Sequence, residues 1–233
     1  MTTWIILFVL AISYLLGSLP FGLIVVKLFT GKDVRQVESG RTGGTNVMRA
    51  AGFWAGLITT ILDILKGAGA VWLAQSILPE TYLIHILAPV MAILGHNYSI
   101  FLLKKNKGES LRFYGGAGGA PAVGGALGLW PASLFFTIPI GVLILYFIGY
   151  ASLATLSVAL ISTVLFAYRA WIGVAAWEYI LYGILAGVLL AWSLRPNIGR
   201  LLNGTERLVG LRARRRKPAE AENFNYTNMD TPT

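Results

Sequence analysis

The segment Glu38-Ser39-Gly40-Arg41-Thr42-Gly43-Gly44-Thr45-Asn46, followed by Arg49, has the composition of an anion site. Its three glycines let the backbone turn N–H groups toward an oxyanion. Ser39, Thr42, Thr45 and Asn46 add neutral donors. Arg41 and Arg49 add charge-assisted contacts of the kind phosphate favours. Thr45 or Asn46 is a candidate N-cap, and a helix N-terminus is itself an anion site. The Lys-Ser/Thr ending of a Walker loop is missing, which argues against a nucleotide site of that type. The competing reading is a polar loop whose arginines only mark a membrane side.

Four further segments carry groups able to do chemistry. Asp63 and Lys66 stand three apart, so they share a helical face and can pair. Inside a membrane such groups face a bundle interior or a wet cavity, either as a neutralised structural pair or as support for a polar site. In Gly95-His96-Asn97-Tyr98, His96 can act as acid, base or hydrogen-bond donor, or can simply cap a helix end. His85 is isolated in mid-span and reads as structural. The run Gly115-Gly116-Ala117-Gly118-Gly119-Ala120-Pro121 leads on to Gly124-Gly125. It permits close helix packing, or an entrance where the backbone at Gly115, Gly116 and Gly118 approaches a ligand. Finally, Arg195-Pro196-Asn197-Ile198-Gly199-Arg200 runs on to Gly204-Thr205-Glu206. Pro196 is expected to stop or redirect a helix there, leaving Asn197 and Glu206 to meet the basic loops.

The elements that must position these groups follow from composition. The 233-residue chain is 56% hydrophobic and 12% charged, with mean hydropathy +0.68. A globular domain is typically about 25% charged, and a disordered chain needs low hydrophobicity. Residues 113–168 contain no Asp, Glu, Lys or Arg. The expected fold is therefore all-α, an integral membrane helical bundle. Seven spans are expected: about 4–26, 53–73, 81–95, three within 113–168 broken near Trp130-Pro131 and Gly149-Tyr150, and 177–194. Residues 97–112 read as a polar loop. Seventeen of the 19 Lys and Arg then fall on one side, which the positive-inside rule makes cytoplasmic. The N-terminus is expected outside and the C-terminus inside. Five spans with two re-entrant segments fit the same pattern.

The absence of cysteine excludes disulfides, zinc thiolates and a Cys nucleophile. With two histidines and dispersed acidic residues, neither a metal nor a cofactor is expected. The +9 charge flanks apolar spans, so it points to anionic lipid rather than nucleic acid. Arg212, Arg214, Arg215, Arg216 and Lys217 form a basic cluster, and residues 218–233 are expected to be disordered.

In order and spacing these segments, with Gly17-Ser18-Leu19-Pro20 before them, resemble the bacterial membrane acyl-phosphate:glycerol-3-phosphate acyltransferases (PlsY) over about residues 10–208. The resemblance implies a seven-helix enzyme that moves an acyl group from acyl phosphate to the 1-hydroxyl of glycerol 3-phosphate. Lysophosphatidic acid and phosphate would be the products. It implies no cofactor, and as partners the two substrates and membrane lipids, with a monomer as the simplest assembly. The bacterial inner membrane would be its location, with the site facing the cytoplasm. Residues 1–210 would form one transmembrane acyltransferase-like domain and 211–233 a basic, then disordered tail. By position, Ser39 and Arg49 would hold phosphate, His96 and Asn197 would orient the glycerol, and Glu206 would organise the rim.

The chain departs from that family where the glycine run usually carries two lysines, since Tyr114 and Ala117 stand there. Leu194 stands where the family has His before the arginine, and Arg41 where Asn is usual. Arg41, or one of Lys104, Lys105, Lys107 and Arg112 in a longer loop, is a candidate replacement cation. The alternatives are the same fold acting on another phosphorylated acceptor, a non-catalytic lipid-binding paralogue, or an anion or lipid transporter.

Overall fold

The computed structural model describes residues 2–104 and 112–213. Lys105, Lys107, the cluster from Arg214 to Lys217 and the tail 218–233 lie outside the described residues, as does any expectation about them.

The chain opens with α1 (Thr2–Ser18) and α2 (Phe21–Thr30), which form one apolar run interrupted at Leu19-Pro20. Pro20 has no N–H to continue the helical ladder, so the carbonyls before it must find other donors. After a loop come the short α3 (Gly44–Ala51) and the long α4 (Phe53–Ile77), separated by Gly52 at φ 88°. Then follow α5 (Tyr82–Asn97), β1 (Ser99–Lys104), β2 (Arg112–Tyr114), α6 (Gly119–Leu129), α7 (Leu134–Leu143), α8 (Ala151–Trp171) and α9 (Tyr179–Leu202).

Each expected apolar segment has a helical counterpart, and the breaks at Trp130-Pro131 and Gly149-Tyr150 fall where the sequence placed them. Among the described residues five helices are long and apolar enough to cross a membrane. The apolar α5 and α6 have 16 and 11 residues. At 1.5 Å per residue they reach about 24 Å and 16 Å, short of a hydrocarbon core of about 30 Å.

Two local expectations are corrected. The polar loop is flanked by a small antiparallel hairpin that pairs Ser99 with Tyr114 and Lys104 with Arg112. Ile100, Phe101, Phe113 and Tyr114 suit a pleated strand better than a loop. Pro196 does not end the last helix, because α9 runs through it to Leu202.

The tightest packing joins α4 to α6. A Cβ on Gly67 would overlap the carbonyl of Pro121, and one on Gly124 would overlap that of Ile64. Small residues do this in membranes because lipid supplies no hydrophobic drive between helices, so close approach carries the association. Beside this seam Val71, Ile86, Ile93, Phe166, Tyr182 and Leu190 form a buried core. The fully buried Tyr182 hydroxyl donates to the Ala122 carbonyl at 2.5 Å. His85 is tied at the other end of α5, with Nε2 2.8 Å from the Leu78 carbonyl.

Candidate active site

The interruption at Pro20 starts the site. The carbonyl of Ser18 accepts from Ser99 Oγ at 2.6 Å, and that of Leu19 accepts from Lys66 Nζ at 3.2 Å. Lys66 is thus drawn toward the break. Its Nζ lies 2.8 Å from Asp63 Oδ1, and both side chains are 1% exposed. The i,i+3 pair read from the sequence is formed. Nζ also lies 2.7 Å from His96 Nδ1.

His96 ends α5 with its backbone as useful as its ring. The His96 carbonyl accepts from Gly116 N at 2.9 Å, which lays the glycine run across the ring. A Cβ on Gly116 would overlap His96 Nε2, so only glycine leaves that edge of the imidazole clear. The Gly115 carbonyl in turn accepts from Thr42 N at 3.1 Å and docks the first polar loop on the glycine run. Arg35 lies over the Tyr114 ring at 5.7 Å and holds the same loop to the hairpin.

Docking of Thr42 sends the neighbouring Arg41 inward to α9. Its Nη2 donates to the Ser193 carbonyl at 2.7 Å and to Asn197 Oδ1 at 3.4 Å. Pro196 interrupts the ladder of α9 at this turn, and Arg41 supplies donors beside the interruption. Burial, then the charge of Arg200, pulls the Arg41 guanidinium below the ordinary arginine value, while Tyr98 and Glu206 act the other way. The charge of Arg41 is also felt at His96.

Beyond α9, Gly204 at φ 68° allows the chain to turn back, and Thr205 N and Glu206 N both donate to the Arg200 carbonyl. Glu206 is thereby set under Asn197. Its Oε1 accepts from Asn197 Nδ2 at 3.1 Å, and its Oε2 accepts from Ser152 Oγ at 2.7 Å. The antiparallel bridge between Tyr150 and Leu208 holds this strand to the start of α8.

The structure therefore brings together Lys66, His96, the glycine run, Arg41, Asn197 and Glu206. Ser39 and Arg49 lie on the adjoining segment, with no hydrogen bond to His96, Asn197 or Glu206 among the described residues. Ser39 Oγ accepts from Arg41 N at 3.4 Å. Burial pulls Arg49 below the ordinary arginine value, Glu38 raises it and Arg207 lowers it. Glu38 itself pairs with Arg207.

Three expectations change in detail. Asn46 does not cap α3, whose cap position is Gly43 with no side-chain bond; Thr45 also lies inside the first turn. The Asn46 amide instead donates to the carbonyls of Val34, Val37 and Arg41, and so braces the loop. The Gly116 N–H is committed to His96, so this glycine shapes the site by the side chain it lacks. Sequence reasoning missed Ser152 and Ser193, whose types and spacing carry no signal. It also passed over Asn97, which is buried against Gly118 with neither amide atom hydrogen-bonded.

The arrangement gathers cationic and donor side chains around one clamped carboxylate. It suits an anionic oxygen-rich substrate and the stabilisation of developing negative charge.

Residues 7–204 match the family described as glycerol-3-phosphate acyltransferase. The chain is 37% identical over 207 residues to glycerol-3-phosphate acyltransferase 2 of Moorella thermoacetica, covering 89% of this chain and 99% of that protein. It is also 37% identical to the glycerol-3-phosphate acyltransferase of Thermus thermophilus, covering 89% of this chain and 96% of that one. Among solved structures it resembles PlsY, an integral membrane glycerol 3-phosphate acyltransferase. The glycerol 3-phosphate form matches with TM-score 0.72 and 31% identity over 88% of this chain and 96% of that one. The lysophosphatidic acid form matches with TM-score 0.73 and 29% identity, over 88% and 95%.

Proposed function

The chain belongs to the glycerol-3-phosphate acyltransferase family and is a membrane acyltransferase of phospholipid synthesis, and we propose acyl phosphate as its donor. It transfers a fatty acyl group to the 1-hydroxyl of glycerol 3-phosphate and forms lysophosphatidic acid. The hydroxyl oxygen attacks the acyl carbon, the bond from that carbon to the phosphate oxygen breaks, and inorganic phosphate leaves with the electron pair and takes up the hydroxyl proton. An acyl phosphate is already activated, so positioning and charge stabilisation carry most of the rate.

In this reading Ser39, Arg49 and Arg41 hold phosphate, with Thr45 and the backbone at Gly115 and Gly118 beside them. His96 and Asn197 orient the glycerol, Glu206 fixes Asn197, and Asp63 and Lys66 support His96. One observation carries it. Arg41 leaves its loop to bond Ser193 and Asn197 within electrostatic reach of His96 and Glu206. That supports Arg41, rather than the loop from Lys104 to Arg112, as the cation standing in for the lysine replaced by Ala117. The proposal also takes a monomer as the working unit, residues 1–210 as one domain, and a bacterial inner membrane with the site facing the cytoplasm. The one-sided distribution of Lys and Arg supports that orientation.

The test supplies palmitoyl phosphate and glycerol 3-phosphate to the purified protein in lipid and follows phosphate and lysophosphatidic acid together. Both appear in step, and Ser39→Ala or Arg49→Ala stops them. Release of neither product from folded protein would overturn the donor assignment.

A further inference from the structure

We propose that Lys66 is a positioning residue that sets the tautomer of His96, keeping its proton on Nε2 and so making His96 a hydrogen-bond donor to the substrate rather than the base that takes the hydroxyl proton. The inference rests on the acyltransferase reading of the site and goes beyond it. It names how one buried side chain decides the chemistry of another.

An ammonium group has three N–H donors and no acceptor. Two hydrogen-bonding groups meet Lys66 Nζ, the Leu19 carbonyl at 3.2 Å and His96 Nδ1 at 2.7 Å, and Asp63 Oδ1 lies 2.8 Å away as its ion-pair partner. Each comes from a different constraint. The carbonyl, which also accepts from Phe21 N, sits at the Pro20 interruption, the carboxylate is one helical turn back on α4, and the imidazole is at the end of α5. Asp63 balances the charge, so Lys66 is accommodated as a cation in a buried place. A cation cannot accept a hydrogen bond from His96, hence Nδ1 must be the acceptor. Asp63 Oδ1 is the competing partner for Nδ1, but it stands at 3.5 Å against 2.7 Å for Nζ.

The neutral ring then carries its hydrogen on Nε2. Nε2 has no hydrogen-bond partner among the described residues, and it lies against the Gly116 backbone, where a Cβ would overlap it. In the acyltransferase reading this free donor serves a phosphate or glycerol oxygen. The Lys66 ammonium at 2.7 Å stands against a second proton on this ring.

The test reads the tautomer directly and needs no substrate, so its failure is distinct from failure of the acyltransferase reading. The protein is labelled with 15N-histidine in lipid, and the two histidines are assigned with His85→Gln. The expected spectrum at pH 8 has His96 protonated at Nε2 and bare at Nδ1. Lys66→Met removes the donor, moves the proton toward Nδ1 and Asp63, and lowers turnover about 100-fold, as misoriented or wrongly protonated histidines do elsewhere. Lys66→Arg keeps a donor and keeps the Nε2-protonated form. A wild-type spectrum with the proton on Nδ1 would overturn the proposal, and that result does not depend on any variant folding. A Lys66→Met protein that keeps the Nε2 form would overturn it too.

Discussion

Arg41 and Asn197 lie 156 positions apart and share a hydrogen bond of 3.4 Å from Nη2 to Oδ1. The other end of the same carboxamide donates to Glu206 at 3.1 Å. Asn197 is therefore gripped between a cation and an anion, which fixes which end of the amide faces which partner. If Arg41 is the phosphate cation, Arg41→Ala should lower turnover about 100- to 1,000-fold, the usual effect of losing one preorganised donor to developing charge. It should also raise KM for glycerol 3-phosphate. Changing Lys104, Lys105 and Lys107 to alanine together should leave both constants near wild type. Steady-state kinetics on the two variants decide between the cations.

Glu206 is buried and accepts from Asn197 and Ser152. A hydrogen bond to a charged group contributes about 1.5–3 kcal/mol, which corresponds to roughly 10- to 100-fold in rate if it is spent on orientation. Glu206→Gln should thus lower kcat by that order, because a neutral amide cannot accept at both ends. Ser152→Ala should cost less, since Asn197 keeps its partner. The ratio of the two losses, from kcat measured at saturating substrate, checks the assignment.

Gly116→Ala forces a methyl group into the His96 ring. The ring is held on its far side by Lys66 and Asp63, so it has little room to retreat. Turnover should fall steeply while the protein stays folded, which the unfolding midpoint in detergent would register. A matching Gly199→Ala, where nothing stands near the added carbon, should leave turnover unchanged and raise the midpoint slightly, as alanine does over glycine inside a helix.

The pair between Arg207 and Glu38 behaves differently because its side chains are 55% and 46% exposed. Exposed ion pairs contribute about 0–1 kcal/mol, and salt screens them. Arg207→Ala should therefore shift the unfolding midpoint by less than the equivalent of about 1 kcal/mol. A larger shift at high salt would mean that Arg207 acts through packing.

Much of this protein is legible in its residues taken in order. A 56-residue stretch without charge and without the alternation of barrel strands reads as helices in lipid, and Pro and Gly mark where those helices stop, because each acts through its own backbone. The pairing of Asp63 with Lys66 is local too, since three residues make nearly one helical turn. Pro196 misleads at the same level. A proline removes one ladder bond, and whether the helix survives depends on what surrounds it; here α9 continues and Arg41 binds at that turn.

Which groups meet is decided elsewhere. Lys66 reaches His96 across 30 positions, Ser152 reaches Glu206 across 54, and Arg41 reaches Ser193 across 152. No spacing rule encodes such distances, because they are set by how helices stack and where loops dock. The order of the residues determined a helical membrane protein whose loops carry arginines, hydroxyls and glycines suited to an anion. Only the tertiary structure turned Asn46 into a loop brace, Gly116 into a clearance for a ring and Lys66 into the partner of His96. Packing fixes the neighbours of every buried polar atom, and those neighbours decide what the atom can do.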